Sequence, residues 1–312
     1  MVIKHLLVGY GKWGTKVERE LQYQKKFKIN LILTKHKKSN LKNNKIINKK
    51  IKLKNYEDKF DSAHICSNLN SHYFFAKDLI QLDKNVIIEK PPVQNLKQIN
   101  KLINLSKNKK KTILVNYIDN FNEGINYIKK NYISNQRITK AEMIYSKYTN
   151  HYKKNFECIN DWLDHPISLA HHLFGLPKKY YITNFKRKKI KNYIQEDLDF
   201  NFIYKKFIFS IKIKNSKKTK IKRNFFIETS NSLINYNDNK KKIIIRNKNS
   251  NKSIFLKIKS SPIENLYNNF YKFIKSNKKN NNLNLAKIVL KNKLKILKKL
   301  KNKKTFSFNA LL

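Results

Sequence analysis

Apolar and polar positions alternate in two rhythms along the chain, and the change falls near residue 118. Before it, apolar runs at residues 3–8, 29–33, 62–66, 85–89 and 112–115 are strand-sized. Between some of them, at 76–82 and 96–105, apolar residues recur at helical spacing. Strands alternating with helices predict a parallel sheet with crossover helices, an α/β domain over residues 1–118. Beyond it, runs at 200–204, 207–213 and 243–245 are joined by polar turns with no helix between them, which predicts an antiparallel sheet. Amphipathic segments at 263–274 and 285–300 predict two closing helices. The second domain, residues 119–312, is therefore expected to be α+β with an open, mainly antiparallel sheet.

The first turn of this pattern carries chemistry. Gly9-Tyr10-Gly11-Lys12-Trp13-Gly14 follows an apolar strand and precedes a helical pattern with Val17 and Leu21. That context makes G-x-G-x-x-G a dinucleotide cradle of Rossmann type. The first glycine turns off the strand, the second admits the pyrophosphate to the backbone, and the third lets helix and strand pack closely. The helix N-terminus then offers unpaired N–H groups to phosphate. The chain has only five glycines, and three stand here. About twenty residues on, where a carboxylate would select the ribose hydroxyls of NAD, the sequence is Thr34-Lys35-His36-Lys37-Lys38. No acid is there to repel a 2′-phosphate, so the choice between NADP and NAD leans to NADP.

Composition changes this picture less than its size suggests. The net charge is +50, from 70 Lys and Arg against 20 Asp and Glu. The lysines are scattered through every segment among abundant Asn, Ile, Tyr and Phe, as AT-rich coding would produce. No clustered basic face with a binding motif stands out, so no specific nucleic-acid partner is expected. Two cysteines, Cys66 and Cys158, make neither a disulfide framework nor a zinc site, and no metal site is read from the sequence. With no apolar stretch of membrane-spanning length, the expectation is a cytoplasmic protein without a membrane partner.

Downstream stand Ser67-Asn68-Leu69-Asn70-Ser71-His72, then Glu89-Lys90-Pro91, then Asp161-Trp162-Leu163-Asp164-His165 and Leu173-Phe174-Gly175. Asp161 and His165, four apart, can share a helix face, where the carboxylate can orient the imidazole. Together with the glycine motif, these segments resemble the glucose-fructose oxidoreductase / inositol dehydrogenase / MocA (Gfo/Idh/MocA) family of NAD(P)-dependent oxidoreductases. That family shows T-P-x-x-x-H after one strand, E-K-P after another, and D-x-x-x-H on a later helix. The first motif here lacks its threonine and proline, and Asn120 stands where arginine is frequent.

The resemblance implies a dehydrogenase or reductase acting on CH–OH groups of a sugar, sugar nucleotide or polyol. It implies that Lys90 hydrogen-bonds the substrate oxygen, that His165 transfers the proton with Asp161 beside it, and that the Lys90–Pro91 bond is cis. Ser67, Asn68, His72 and Glu89 would line the cofactor side with the glycine cradle and Thr34 and Lys35. It also implies a homo-oligomer, dimer or tetramer, assembled through the second domain. The alternative is a catalytically degenerate member that binds the dinucleotide as a sensor or scaffold.

Overall fold

The computed structural model describes residues 2–34, 45–47, 52–147, 157–190, 193–216, 222–249, 253–277 and 279–301. The chain opens with β1 (Ile3–Val8), α1 (Lys12–Gln22), β2 (Phe27–Leu33), β3 (Lys45–Ile47), β4 (Ser62–Ile65), α2 (Leu69–Gln81), β5 (Asn85–Glu89), α3 (Leu96–Ser106) and β6 (Ile113–Asn116). It continues with α4 (Glu123–Ile128), β7 (Ile138–Ser146), α5 (Cys158–Trp162), α6 (Asp164–Phe174), β8 (Lys179–Ile190), β9 (Tyr193–Ile203) and β10 (Ile208–Asn215). The last elements are β11 (Lys222–Thr229), β12 (Ser232–Asn237), β13 (Lys242–Asn247), β14 (Ser253–Lys257), α7 (Pro262–Lys275) and α8 (Leu283–Lys301). These form two compact units, Met1–Ile118 with Pro262–Lys291, and Asp119–Ser261 with Asn292–Leu312.

In the first unit all strands run parallel in the order β3-β2-β1-β4-β5-β6. Ligands of such sheets bind where the strand order reverses, at the carboxyl ends of β1 and β4. Apart from the exposed Lys4 and the half-buried Glu89 the central strands are buried, as parallel strands covered on both faces must be: Leu6, Leu7, Val8, Ile65, Ile87 and Ile88 are at most 1% exposed. Three polar side chains, His5, Ser62 and His64, interrupt this apolar interior at 0% exposure. Helix α3 starts at Asn95, whose side chain accepts from the Gln98 N–H at 3.0 Å, and Gln98 returns the bond to the Gln94 N–H at 2.9 Å. Helix α7 completes this unit with Tyr267 and Phe270, both packed on Phe27 of β2 at ring distances of 5.1 and 6.0 Å. An amphipathic pattern predicts such a helix without saying which sheet its apolar face covers.

The second unit holds an eight-stranded sheet, β14-β13-β12-β11-β7-β10-β9-β8, antiparallel except for β7 against β10. The fold is thus the expected Rossmann domain with a second, mainly antiparallel α+β domain. One face is apolar in strict alternation: Leu198, Phe200 and Phe202, then Phe209, Ile211 and Ile213, all at 0% exposure. Helices α5 and α6 pack there, with the Ile159 N–H donating to Glu196 Oε2 at 3.0 Å and Phe174 against Phe209 at 5.3 Å. Within α6, Asp164 forms a buried ion pair with Lys293 at 2.6 Å. Among the described residues no helix is long and apolar enough to cross a membrane.

His172 at the end of α6 is bonded through Nε2 to Asn126 Oδ1 at 2.9 Å. Burial, then the charge of Lys129, pushes its pKa down from the usual 6.5 to about 4. The unfolded chain therefore takes up this proton first as the pH falls. His172 costs no stability above about pH 6.5 and progressively destabilises between 6.5 and 4, by about 1.4 kcal/mol per pH unit. In urea unfolding across this window, His172→Gln should show the shallower loss of stability, by about that slope.

Candidate functional site

The cofactor side is built wholly within the first unit. After β1 the chain turns at Gly9, with φ at +92°, and a Cβ there would lie 2.6 Å from the Ser67 backbone nitrogen after β4. The two strand ends meet too closely for any side chain. A Cβ on Gly14 would lie 2.3 Å from the Gly9 carbonyl oxygen. At Gly11 a Cβ would meet nothing within 4 Å, so space is open at the N-cap of α1, where no side chain caps the helix. Unpaired N–H groups facing open space at the switch point fit a dinucleotide pyrophosphate.

The rest of the cradle is cross-braced. Trp13 donates its indole N–H to Glu89 Oε1, tying the glycine turn to the end of β5. The same oxygen is bonded by His64 Nε2 at 2.9 Å and Asn116 Nδ2 at 2.7 Å. Tyr10 donates its hydroxyl to Glu18, and burial, then Glu18, pushes the phenol up to about 12. His72 spans the carbonyls of Ser67 at 2.9 Å and Pro91 at 3.0 Å, joining the turns after β4 and β5. Ser67 is also bonded to Ser71 at 2.7 Å, and Asn68 is the N-cap residue of α2. The Lys90–Pro91 peptide is cis, as the resemblance implies. Thr34 follows the end of β2, whereas Lys35, Lys37 and Lys38 lie outside the described residues. The ligating atoms of His64, Cys66 and Glu89 lie within 4.8 Å of one another, but Glu89 Oε1 already accepts the bonds just described. Burial, then the Glu89 charge, pushes the Cys66 thiol well up.

In the second unit, His165 is 8% exposed on α6, and its Nδ1 is bonded to Asp119 Oδ2 at 2.9 Å. Asp161 lies on α5, which ends before α6 begins at Asp164, so the carboxylate found on Nδ1 comes from a segment 46 residues upstream. Tyr145 stacks on the imidazole at 5.5 Å. The Arg223 guanidinium lies over the Tyr145 ring at 4.5 Å and donates to its hydroxyl, with Asp119 Oδ1 at 4.0 Å and Asp238 Oδ2 at 3.7 Å. Sequence reasoning missed Asp119 and Arg223. A signal for Arg223 existed: only five basic residues are arginine, and a chain that otherwise uses lysine keeps arginine where a planar, stacked, multi-donor cation is needed.

Residues 3–117 match the family model described as "Oxidoreductase family, NAD-binding Rossmann fold", GFO_IDH_MocA. Through this domain the chain is similar to the Gfo/Idh/MocA oxidoreductases. The match supports an NAD-binding Rossmann domain of oxidoreductase type. No curated protein matches the sequence. Solved structures similar to the whole chain include UDP-N-acetylglucosamine 3-dehydrogenase GnnA from Acidithiobacillus ferrooxidans, with TM-score 0.78 and 11% identity over 95% of this chain and 97% of that one. D-galactose-1-dehydrogenase from Rhizobium etli gives 0.75 and 16%, over 95% of each chain. The dehydrogenase MviM from Clostridium difficile gives 0.76 and 17%, over 96% and 99%. At these identities the likeness is one of fold.

The glycines separate packing from binding. Gly14→Ala drives a Cβ into a backbone oxygen and should lower stability by about 1–3 kcal/mol. Gly11→Ala should leave the melting temperature unchanged while weakening NADPH and NADH binding at least about tenfold, because its Cβ fills space meant for phosphate. Thermal melts beside nicotinamide-fluorescence titrations read both.

Proposed function

We propose that the protein is an NAD(P)-dependent dehydrogenase or reductase acting on the CH–OH group of a sugar, sugar nucleotide or polyol. The observation carrying this reading is the buried bond from Asp119 to His165 Nδ1, which leaves Nε2 as the nitrogen able to exchange a proton with substrate. Bound nicotinamide supplies the acceptor or donor of hydride at the substrate carbon. His165 takes the hydroxyl proton during alcohol oxidation and returns it during carbonyl reduction. Asp119 holds the imidazole in one tautomer and stabilises the imidazolium that proton uptake creates. Asp161, which the D-x-x-x-H motif proposes for the same task, stands on α5 rather than on the helix of His165. Lys90 donates to the substrate oxygen and stabilises its developing negative charge.

On this reading residues 1–118 carry the dinucleotide on Gly9, Gly11, Gly14 and the ends of β4 and β5. Residues from 119 onward, apart from Pro262–Lys291 of the first unit, supply the substrate wall and the surface for a dimer or tetramer. The absence of a carboxylate in the Thr34–Lys35 segment favours NADP. The carbohydrate class rests on the family resemblance, together with two structural neighbours whose names describe sugar dehydrogenases.

The purified protein should bind NADPH or NADH and turn over at least one member of a panel of sugar nucleotides, free sugars and polyols. His165→Ala should lower kcat by about 10²- to 10⁴-fold. Asp119→Asn should lower it about 10- to 100-fold, the loss expected for one charge-assisted bond, and move the acidic limb of the pH profile for alcohol oxidation to lower pH. Turnover undiminished in Lys90→Ala/His165→Ala would refute the assignment, and dinucleotide binding without turnover across the panel would favour a sensor.

A further inference from the structure

The oxygen of Glu89 that accepts Trp13, His64 and Asn116 stands at one end of a longer buried chain. His64 Nδ1 lies 2.7 Å from the hydroxyl of Tyr267 on α7, and that hydroxyl lies 3.4 Å from His5 Nε2. His5 Nδ1 lies in turn 2.8 Å from Ser62 Oγ. His5, Ser62, His64 and Tyr267 are all 0% exposed, so each polar atom must find its partner inside the protein. Glycine cradle and strand end alone do not require two histidines in the middle of an apolar sheet and a buried tyrosine hydroxyl on the helix against it.

With both histidines neutral, the donor and acceptor inventory gives the chain one direction. An oxygen already accepting N–H groups from Trp13 and Asn116 carries no proton, so His64 donates to it through Nε2. A neutral His64 then accepts at Nδ1, and Tyr267 spends its one hydroxyl proton there. Burial, foremost, keeps that phenol protonated by pushing its pKa well up. Tyr267 therefore accepts from His5 Nε2, and a neutral His5 accepts at Nδ1 from Ser62, whose hydroxyl lies 2.8 Å from that nitrogen against 3.5 Å from the Lys4 carbonyl. Burial, then the proximity of His64, pushes the His5 pKa well below the usual 6.5, so His5 has one N–H to give.

We propose that His64 and Tyr267 are positioning residues for the dinucleotide site: the chain Ser62–His5–Tyr267–His64 fixes the His64 proton on Nε2, and that N–H holds Glu89, the neighbour of Lys90. This rests on the oxidoreductase reading for its purpose, and on the buried geometry alone for its tautomers. Helix α7, from a distant part of the sequence, thereby sets the orientation of a carboxylate at the cofactor end of β5. The trio His64, Cys66 and Glu89 is on this account a hydrogen-bonded group rather than a metal site.

Long-range proton–nitrogen NMR on the full chain labelled with ¹⁵N-histidine tests it. His5 and His64 should each show a protonated Nε2 and a bare, hydrogen-bonded Nδ1. Tyr267→Phe should move the His64 Nδ1 signal, mix its tautomers, and raise the dissociation constant for NADPH about 3- to 10-fold, the worth of one hydrogen bond. Ser62→Ala, at the far end, should move the His5 signals first and serves if Tyr267→Phe folds poorly. A proton on His64 Nδ1 in the wild type overturns the proposal. So do unchanged tautomers and affinity in folded Tyr267→Phe, or stoichiometric zinc uptake that removes the His64 Nε2–H. If the wild type binds neither NADPH nor NADH, the oxidoreductase reading fails, and the tautomer pattern still decides the chain.

Discussion

One carboxylate oxygen organises the functional end of the first unit. Glu89 Oε1 collects N–H groups from the glycine turn, from β4 and from β6, and so locks the three segments that border β5. Its next residue is Lys90. A side chain bonded from three directions has little rotational freedom, and hydrogen bonds to a charged group are the stronger ones. On the proposed reading the turn around Gly9, Gly11 and Gly14 is tied in place by these bonds before any dinucleotide arrives. Preorganisation of this kind lowers the cost of binding.

The second unit obeys the same logic with different parts. The bond from Asp119 to His165, stacked on Tyr145 beside Arg223, confines the imidazole in position and tautomer. Both units invest buried polar groups where an apolar side chain would pack at less cost. Such groups are tolerated when each is satisfied, and they then define one arrangement of the site. The ion pair of Asp164 with Lys293 fixes the helix that carries His165 in a comparable way.

Periodicity made the parallel sheet legible, because β1, β4 and β5 are mainly apolar and end at turn or motif residues. Scarcity made the glycines legible, and E-K-P marked the end of β5. What stayed hidden depends on long-range contact. Tyr267 reaches His64 across 203 residues and Asp119 reaches His165 across 46, and no local pattern encodes either meeting. His64 was read within a strand run, since a buried histidine and a strand filler look alike in sequence. Strand β8 escaped notice because Lys179, Lys186, Lys188 and Lys189 give it a solvated character. That is the composition of an edge strand guarded against pairing with other chains, and β8 does lie at the sheet edge.

Hydride transfer itself is the central claim, and the fate of a deuteron tests it directly. The protein would be incubated with NADPH or NADH carrying deuterium at C4 of the nicotinamide and with oxidised sugars, sugar nucleotides and polyols, and the products weighed by mass spectrometry. The account predicts one deuterium on the carbon of a newly formed alcohol, and its loss in His165→Ala. Dinucleotide bound tightly with no deuterium reaching any carbonyl substrate would contradict it.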